Sequence, residues 1–177
     1  MATSPPGQLP KFRRAWILQD SRSNMHRPRA RLLLALFRLA QAARFPFDKR
    51  PSALAILLTA VYVFVSEWLL GMELPVKTTV GPRLQIVHGY GLVVNVDSIL
   101  GSDVVIRQAV TIGNKGDGGE SPSIGDRVTF GAGACVLGGI EIGHDAKVGA
   151  NAVVLINVPP GRTVVGNPGR LRSPRQS

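Results

Sequence analysis

From residue 80 onward, apolar side chains recur along the chain with a period of six. Aliphatic or aromatic residues stand at Ile124, Phe130, Val136, Ile142, Val148 and Val154. Four positions after each comes a small or branched residue: Val128, Ala134, Ile140, Ala146, Ala152 and Val158. Gly follows four of these anchors directly (Gly125, Gly131, Gly143, Gly149) and Leu follows the other two. The same frame appears at Val80, Ile86 and Leu92, skips one residue, and resumes at Ile99 and Val105. This period fits neither an amphipathic helix nor a plain hairpin. It fits a short strand plus a turn, repeated. Alternation along a strand puts the anchor and the residue two before it on one inward face. Gly after the anchor lets the chain turn a corner without a Cβ clash. Three such faces make a triangular coil of about eighteen residues, and stacked coils bury an apolar column that no single coil could bury. Residues 80–165 then form about five coils, which predicts a mainly β solenoid.

Before the repeats the pattern changes. Residues 1–28 read as a basic, flexible leader, with a Pro- and Gly-containing disordered tail over 1–13. Residues 29–45 read as a helix in which Leu32, Leu36, Leu39 and Ala43 recur at three- and four-residue steps, with Arg31, Arg38 and Arg44 between them. Such a stripe packs against a neighbour or lies on a membrane surface. Pro46 and Pro51 break the chain. A second helix is expected over 52–70, apolar from 53 to 65 except for Thr59. That run is short of the ~20 residues needed to cross a bilayer, so a buried or trimer-facing helix is expected, with membrane insertion as the alternative, ended by Gly71 and Pro75. The organisation is then a leader (1–28), a helical N-terminal region (29–75), a solenoid catalytic domain (76–165) and a C-terminal tail (166–177).

Charge narrows the partners. The net +10 divides into +7 over residues 1–73, −1 over 74–160 and +4 over 161–177. Basic ends around a neutral body suit an anionic membrane surface or acidic polymer better than nucleic acid, which is read by a basic folded face with aromatics interleaved. Solvated termini are the plain alternative. A single cysteine, Cys135, excludes an internal disulfide framework and fits a reducing compartment. No early apolar run is long enough for a secretory signal. A cytoplasmic protein, peripheral at the inner membrane where its basic ends touch it, is expected. Residues 113–123 break the repeat and read as an extruded loop, and loops on rigid scaffolds carry specificity. Their glycines lack the Gly-Lys-Ser/Thr step and following helix of a phosphate loop.

Five motifs belong together: His88-Gly-Tyr-Gly-Leu-Val-Val, Val110-Thr-Ile-Gly, Gly131-Ala-Gly-Ala, Gly149-Ala-Asn-Ala-Val-Val and Val165-Gly-Asn-Pro-Gly-Arg. With the anchors, they resemble the hexapeptide-repeat acyltransferases. Over residues 73–171 the chain is similar to the catalytic half of serine O-acetyltransferases. Residues 87–95 and 102–116, and the preceding Gly71-Met-Glu-Leu, look closer to the colanic-acid and exopolysaccharide acetyltransferase branch. The resemblance implies a left-handed parallel β-helix, a homotrimer, and acetyl-CoA as co-substrate with no metal. It places coenzyme A in a groove between neighbouring solenoids. An alcohol needs a base to become a nucleophile, and imidazole is suited to that near neutral pH. The resemblance assigns that role to His88, with Glu73, fifteen residues earlier where the family has Asp, as the acid that orients it. Asn114, Ala132, Lys147 and Ala150 would line the groove, and Lys147 or Arg170 would meet phosphates. Of the other histidines, His26 lies in the leader and His144 on a solvent-facing turn. Cys135, following the inward-pointing Ala134, would face outward or a subunit contact, with transfer direct.

Three departures bear on the acceptor. Where serine acetyltransferases have Asp before the histidine, this chain has Val87. Where they have Arg and a second histidine before a loop Pro, it has Glu120 and Ser121 before Pro122. A zwitterionic amino acid needs charged partners. The helical part is also shorter, and the chain ends in Arg-Gln-Ser rather than Ile. These point to a sugar hydroxyl on an exopolysaccharide precursor. The alternatives are serine O-acetyltransferase of cysteine synthesis and a non-catalytic trimeric scaffold. A carbonic anhydrase relative would need three zinc histidines, which the repeats do not supply.

Overall fold

The computed structural model describes residues 14–172 apart from 46, 48 and 117. The tail read over 1–13, the last five residues and the break at Pro46 lie outside the described residues.

After β1 (Met72–Glu73) the chain climbs in four full coils. Coil one is β2 (Thr79–Val80), β3 (Gln85–Val87) and β4 (Leu92–Val94), and coil two is β5 (Ile99–Leu100), β6 (Val105–Arg107) and β7 (Thr111–Gly113). Coil three is β8 (Ser123–Ile124), β9 (Thr129–Phe130) and β10 (Cys135–Leu137), and coil four is β11 (Glu141–Ile142), β12 (Lys147–Val148) and β13 (Val153–Val154). A fifth begins with Val158, bridged to Ile142, and β14 (Thr163–Val165), on which β15 (Arg170–Leu171) folds back antiparallel. The other ladders are parallel. They form three sheets, ordered β1-β4-β7-β10-β13, β2-β5-β8-β11 and β3-β6-β9-β12-β14-β15. The protein is a parallel β-solenoid of about five turns, as the six-residue period predicts.

Three buried columns fill the prism: Val80, Leu100, Ile124, Ile142 and Val158; Ile86, Ile106, Phe130, Val148 and Val164; and Val94, Ile112, Val136 and Val154. Two expected anchors are displaced by one position. Ile99 is 44% exposed and Val105 is half-buried, while Leu100 and Ile106 point inward. The cause is an insertion. Ile86 and Val94 stand eight residues apart where Ile106 and Ile112 stand six apart, so coil one holds two extra residues rather than a single skip.

The corner chemistry also differs from expectation. Gly125 does not supply the turn: a Cβ there would lie 2.7 Å from the backbone nitrogen of His144 in the next coil. It is small because coils approach closely, not because φ is positive. The left-handed residues come two places later and carry side chains: Arg83, Asp103, Arg127 and Asp145 stack at one corner with φ between 57° and 62°. Arg83 grips Asp103 and Arg127 grips Asp145 through paired hydrogen bonds. The guanidiniums hold both carboxyls below the usual range. These pairs are solvated and therefore weak.

The N-terminal part forms α1 (Arg14–Ile17), α2 (Pro28–Arg44), α3 (Ala53–Val63) and a π-helical segment, Phe64–Leu69. Proline suits the first turn of α2, where its missing N–H is not needed, and the Ser52 hydroxyl caps α3 by accepting from the Ala55 N–H. The face α2 buries is not the expected stripe. Leu32 is 54% exposed, whereas Ala30, Leu33, Leu34, Phe37, Arg38, Ala40 and Gln41 are buried. Nor is the leader free of the fold up to residue 28, since Asp20 and Asn24 are fully buried. Both differences have one reason: the lower edge of coil one needs partners. Arg38 donates to Asp20 Oδ2 at 2.8 Å, to the Val80 carbonyl at 2.8 Å and to the Gly81 carbonyl at 2.8 Å. Gln41 donates to the carbonyls of Val76 and Thr78. Asp20 accepts from the Leu84 N–H, and Asn24 accepts from the Ile86 N–H and donates to the Leu84 carbonyl. Tyr62 donates to the Leu74 carbonyl at 2.5 Å, and burial raises its phenol well above the ordinary value. α3 itself buries only Ala55 and Tyr62 within the chain, so of the two expected placements burial inside this chain's own fold does not hold.

Arg38→Ala leaves Asp20 buried without its charge partner and strips two edge carbonyls. It should destabilise the fold by about 3–5 kcal/mol, read as a lowered midpoint in urea titration. A loss below about 1 kcal/mol would mean the pair does not hold the helices to the coil.

Candidate active site

The two extra residues of coil one fall at the corner between β3 and β4. There His88, Gly89 and Gly91 take φ of 66°, 71° and 70°. The same corner in later coils carries one left-handed residue each: Ala109, Gly133 and Asn151. The longer corner makes His88 an exposed projection. Gly89 is required, because a Cβ would strike the side chains of Ile86 and Met72 beneath it. The Gly91 N–H donates to the Gly71 carbonyl at 2.8 Å, and the Tyr90 ring lies over Gly71, which ties this corner to the start of β1.

Glu73 lies on β1 beside that corner. It pairs in register with Val93, and strand alternation turns it outward because Met72 is buried. His88 and Glu73 thus share the lower end of the prism, though no hydrogen bond joins them among the described residues. Above His88, register stacks three more positions at the same edge. Val87 pairs with Arg107, so Gln108 follows one coil up; Gly133 donates to the Gln108 carbonyl and Asn151 to the Ala132 carbonyl. His88, Gln108, Ala132 and Ala150 form a column, with Ala150 about 14 Å from His88 at the ~4.8 Å spacing of strands. The small side chains of Ala132 and Ala150 leave the edge open. Lys147 and Arg170 project from the third sheet, on β12 and β15, and both are exposed.

Asn114 is not part of this column. It follows β7, at the corner from the first sheet to the second, where the extruded loop leaves the prism. That loop folds over the coil above: Lys115 lies over Gly138, and a Cβ on Gly139 would strike the Glu120 side chain. The Ser121 hydroxyl donates to Asn95 Oδ1 at 3.0 Å. His144 is exposed at a different corner, its Nδ1 accepting from the Asp126 N–H. Arg107 and Gln108 lie within the stretch 102–116, but the resemblance gives them no role, and register alone brings them to this edge. Arg107 is exposed beside Val87, and Gln108 Oε1 is buried with no partner among the described residues. Cys135 sits half-buried on β10, and burial pushes its thiol up.

Comparison with known proteins agrees with the parallel solenoid. Residues 123–155 match the family model described as the hexapeptide repeat of succinyl-transferase. A serine acetyltransferase of Mycobacterium tuberculosis is 45% identical over 105 residues, covering 58% of this chain and 46% of the relative. One of Helicobacter pylori is 43% identical over 105 residues, covering 58% and 61%. The soybean serine acetyltransferase apoenzyme superposes with a TM-score of 0.76 at 34% identity, covering 90% of this chain and 68% of that one. The chain belongs to the hexapeptide-repeat acyltransferases. It spans about half the length of the curated relatives it matches.

The raised Cys135 thiol should alkylate with iodoacetamide more slowly than free cysteine near pH 8, because less of it is thiolate. The difference should narrow as pH rises. Reaction at the free-cysteine rate would contradict the half-buried position.

Proposed function

We propose that the chain transfers acetyl from acetyl-CoA to a hydroxyl, with His88 as general base. The carrying observation is the lengthened coil-one corner, which projects an imidazole at the foot of an edge lined above by Ala132 and Ala150. His88 takes the acceptor proton as the oxygen attacks the thioester carbonyl, giving a tetrahedral oxyanion. When that collapses the C–S bond breaks, and the imidazolium returns its proton to the departing thiolate. Glu73, on β1 beside the His88 corner, would steady the imidazolium. Cys135 takes no part. Asn114 stands at another edge of the prism from His88, so both line one groove only if two solenoids stand side by side. This supports a homotrimer, with coenzyme A between neighbours and Lys147 or Arg170 toward its phosphates.

L-Serine is the acceptor the relatives favour, since those from Mycobacterium tuberculosis, Helicobacter pylori and soybean carry serine acetyltransferase names. Arg107, exposed in register with Val87, is placed to meet a carboxylate. A specific observation favours a second reading, a sugar hydroxyl of an exopolysaccharide precursor. Val87 beside the base offers nothing to an ammonium group, and the loop presents Glu120 and Ser121, with Ser121 held on Asn95.

Thiol release from acetyl-CoA, measured with L-serine and with a panel of sugars, separates these. Faster release with serine supports the first acceptor, and faster release with a sugar supports the second. His88→Gln should lower the rate by about two to four orders of magnitude. Wild type and His88→Gln equally inert on every acceptor would leave a non-catalytic scaffold.

A further inference from the structure

The outer face of α3 and the π-helical segment is apolar and, among the described residues, unpartnered. Leu54, Leu57, Val61, Phe64 and Trp68 follow one another at three- and four-residue steps, which puts them on one side of a helix. All five are exposed, Leu54 by 62% and Trp68 by 79%, while Ala55, Tyr62 and Ser66 face the fold. Ile56 and Leu69 widen the patch. A contiguous apolar face of this kind marks an interaction site.

We infer that this face docks the protein on an anionic bilayer, with the helix lying in the plane of the interface. The charge around it selects that occupant. Lys49 and Arg50 are exposed immediately before α3, Arg29 and Arg31 are exposed on α2, and residues 1–73 carry +7. Glu67 is the single charged residue between 53 and 69. A second copy docked face to face would bring two +7 segments together, whereas an anionic lipid surface attracts them. Among the described residues no helix is long and apolar enough to cross a membrane, so the face lies on the surface rather than spanning. Trp68 is of the residue type enriched at the headgroup boundary, and Phe64 adds an aromatic ring to the apolar face.

The test uses the full chain carrying Trp16→Phe, so that Trp68 is the remaining tryptophan. It is mixed with vesicles of phosphatidylcholine, alone or with phosphatidylglycerol. Flotation with the anionic vesicles only, a blue shift of Trp68 emission, and weakening by salt are expected. Leu57→Ser with Phe64→Ser should weaken partitioning more than tenfold, and Lys49→Glu with Arg50→Glu by about tenfold. Far-UV circular dichroism and acetyl transfer to a small acceptor check the fold of each variant. Flotation does not depend on the acyl-transfer reading and stands even if no acceptor is found. No flotation with an unshifted Trp68 overturns the inference. So does undiminished binding by the serine variants, or an assembly mass that those substitutions reduce, which would assign the face to a second copy.

Discussion

A stack of parallel coils must end, and its first coil exposes unpaired backbone on three sheets at once. Such edges template further pairing and are covered in native folds. This chain covers each edge by a different device. β1 extends the first sheet below β4. Arg38 and Gln41 satisfy the carbonyls around β2. Asp20 and Asn24 act as a stand-in strand for β3, meeting the N–H groups of Leu84 and Ile86 and the Leu84 carbonyl. The buried Arg38–Asp20 pair ties the last two devices together. A buried ion pair is costly unless its remaining hydrogen bonds are satisfied, and here the edge backbone supplies them. The arginine is therefore held by the solenoid as much as the solenoid is held by the arginine.

The solenoid itself was legible because one physical requirement repeats. Every coil must send side chains into a shared column, so the period of six survives from Ile124 to Val154 without a break. The frame was misread at Ile99 and Val105 because Leu100 and Ile106 beside them are equally apolar; only pairing to Val80 and Ile86 decides which faces inward. Arg38 shows the complementary limit. Between leucines on a helix an arginine reads as the solvent side, and the open sheet edge that reverses this is set by residues some forty positions later.

The candidate site divides along the same line. His88 and the small residues Ala132 and Ala150 were found through motifs, and the coil register brings them to one edge. Arg107 and Gln108 lie in the stretch 102–116 but take no role from it. They are neighbours of the His88 corner because a coil of twenty residues returns the chain to the same edge. Asn114 shows what motif transfer omits: a residue can match a family pattern yet stand at another edge, where its role depends on a neighbouring solenoid.

The lengthened corner and the apolar helix face meet at one end of the molecule. The π-helical segment that carries Trp68 runs into Gly71, whose carbonyl accepts from Gly91, and Tyr90 packs over it in the same corner as His88. The inner side of the N-terminal segment caps coil one, and its outer side is the stripe. A surface engaged by that stripe would therefore stand beside the first coil rather than the fourth. An acceptor held at such a surface would reach His88 without travelling along the edge, leaving the upper part of the column, toward Ala132 and Ala150, for the acyl donor. The polarity of the site would then follow from which end of the solenoid is capped.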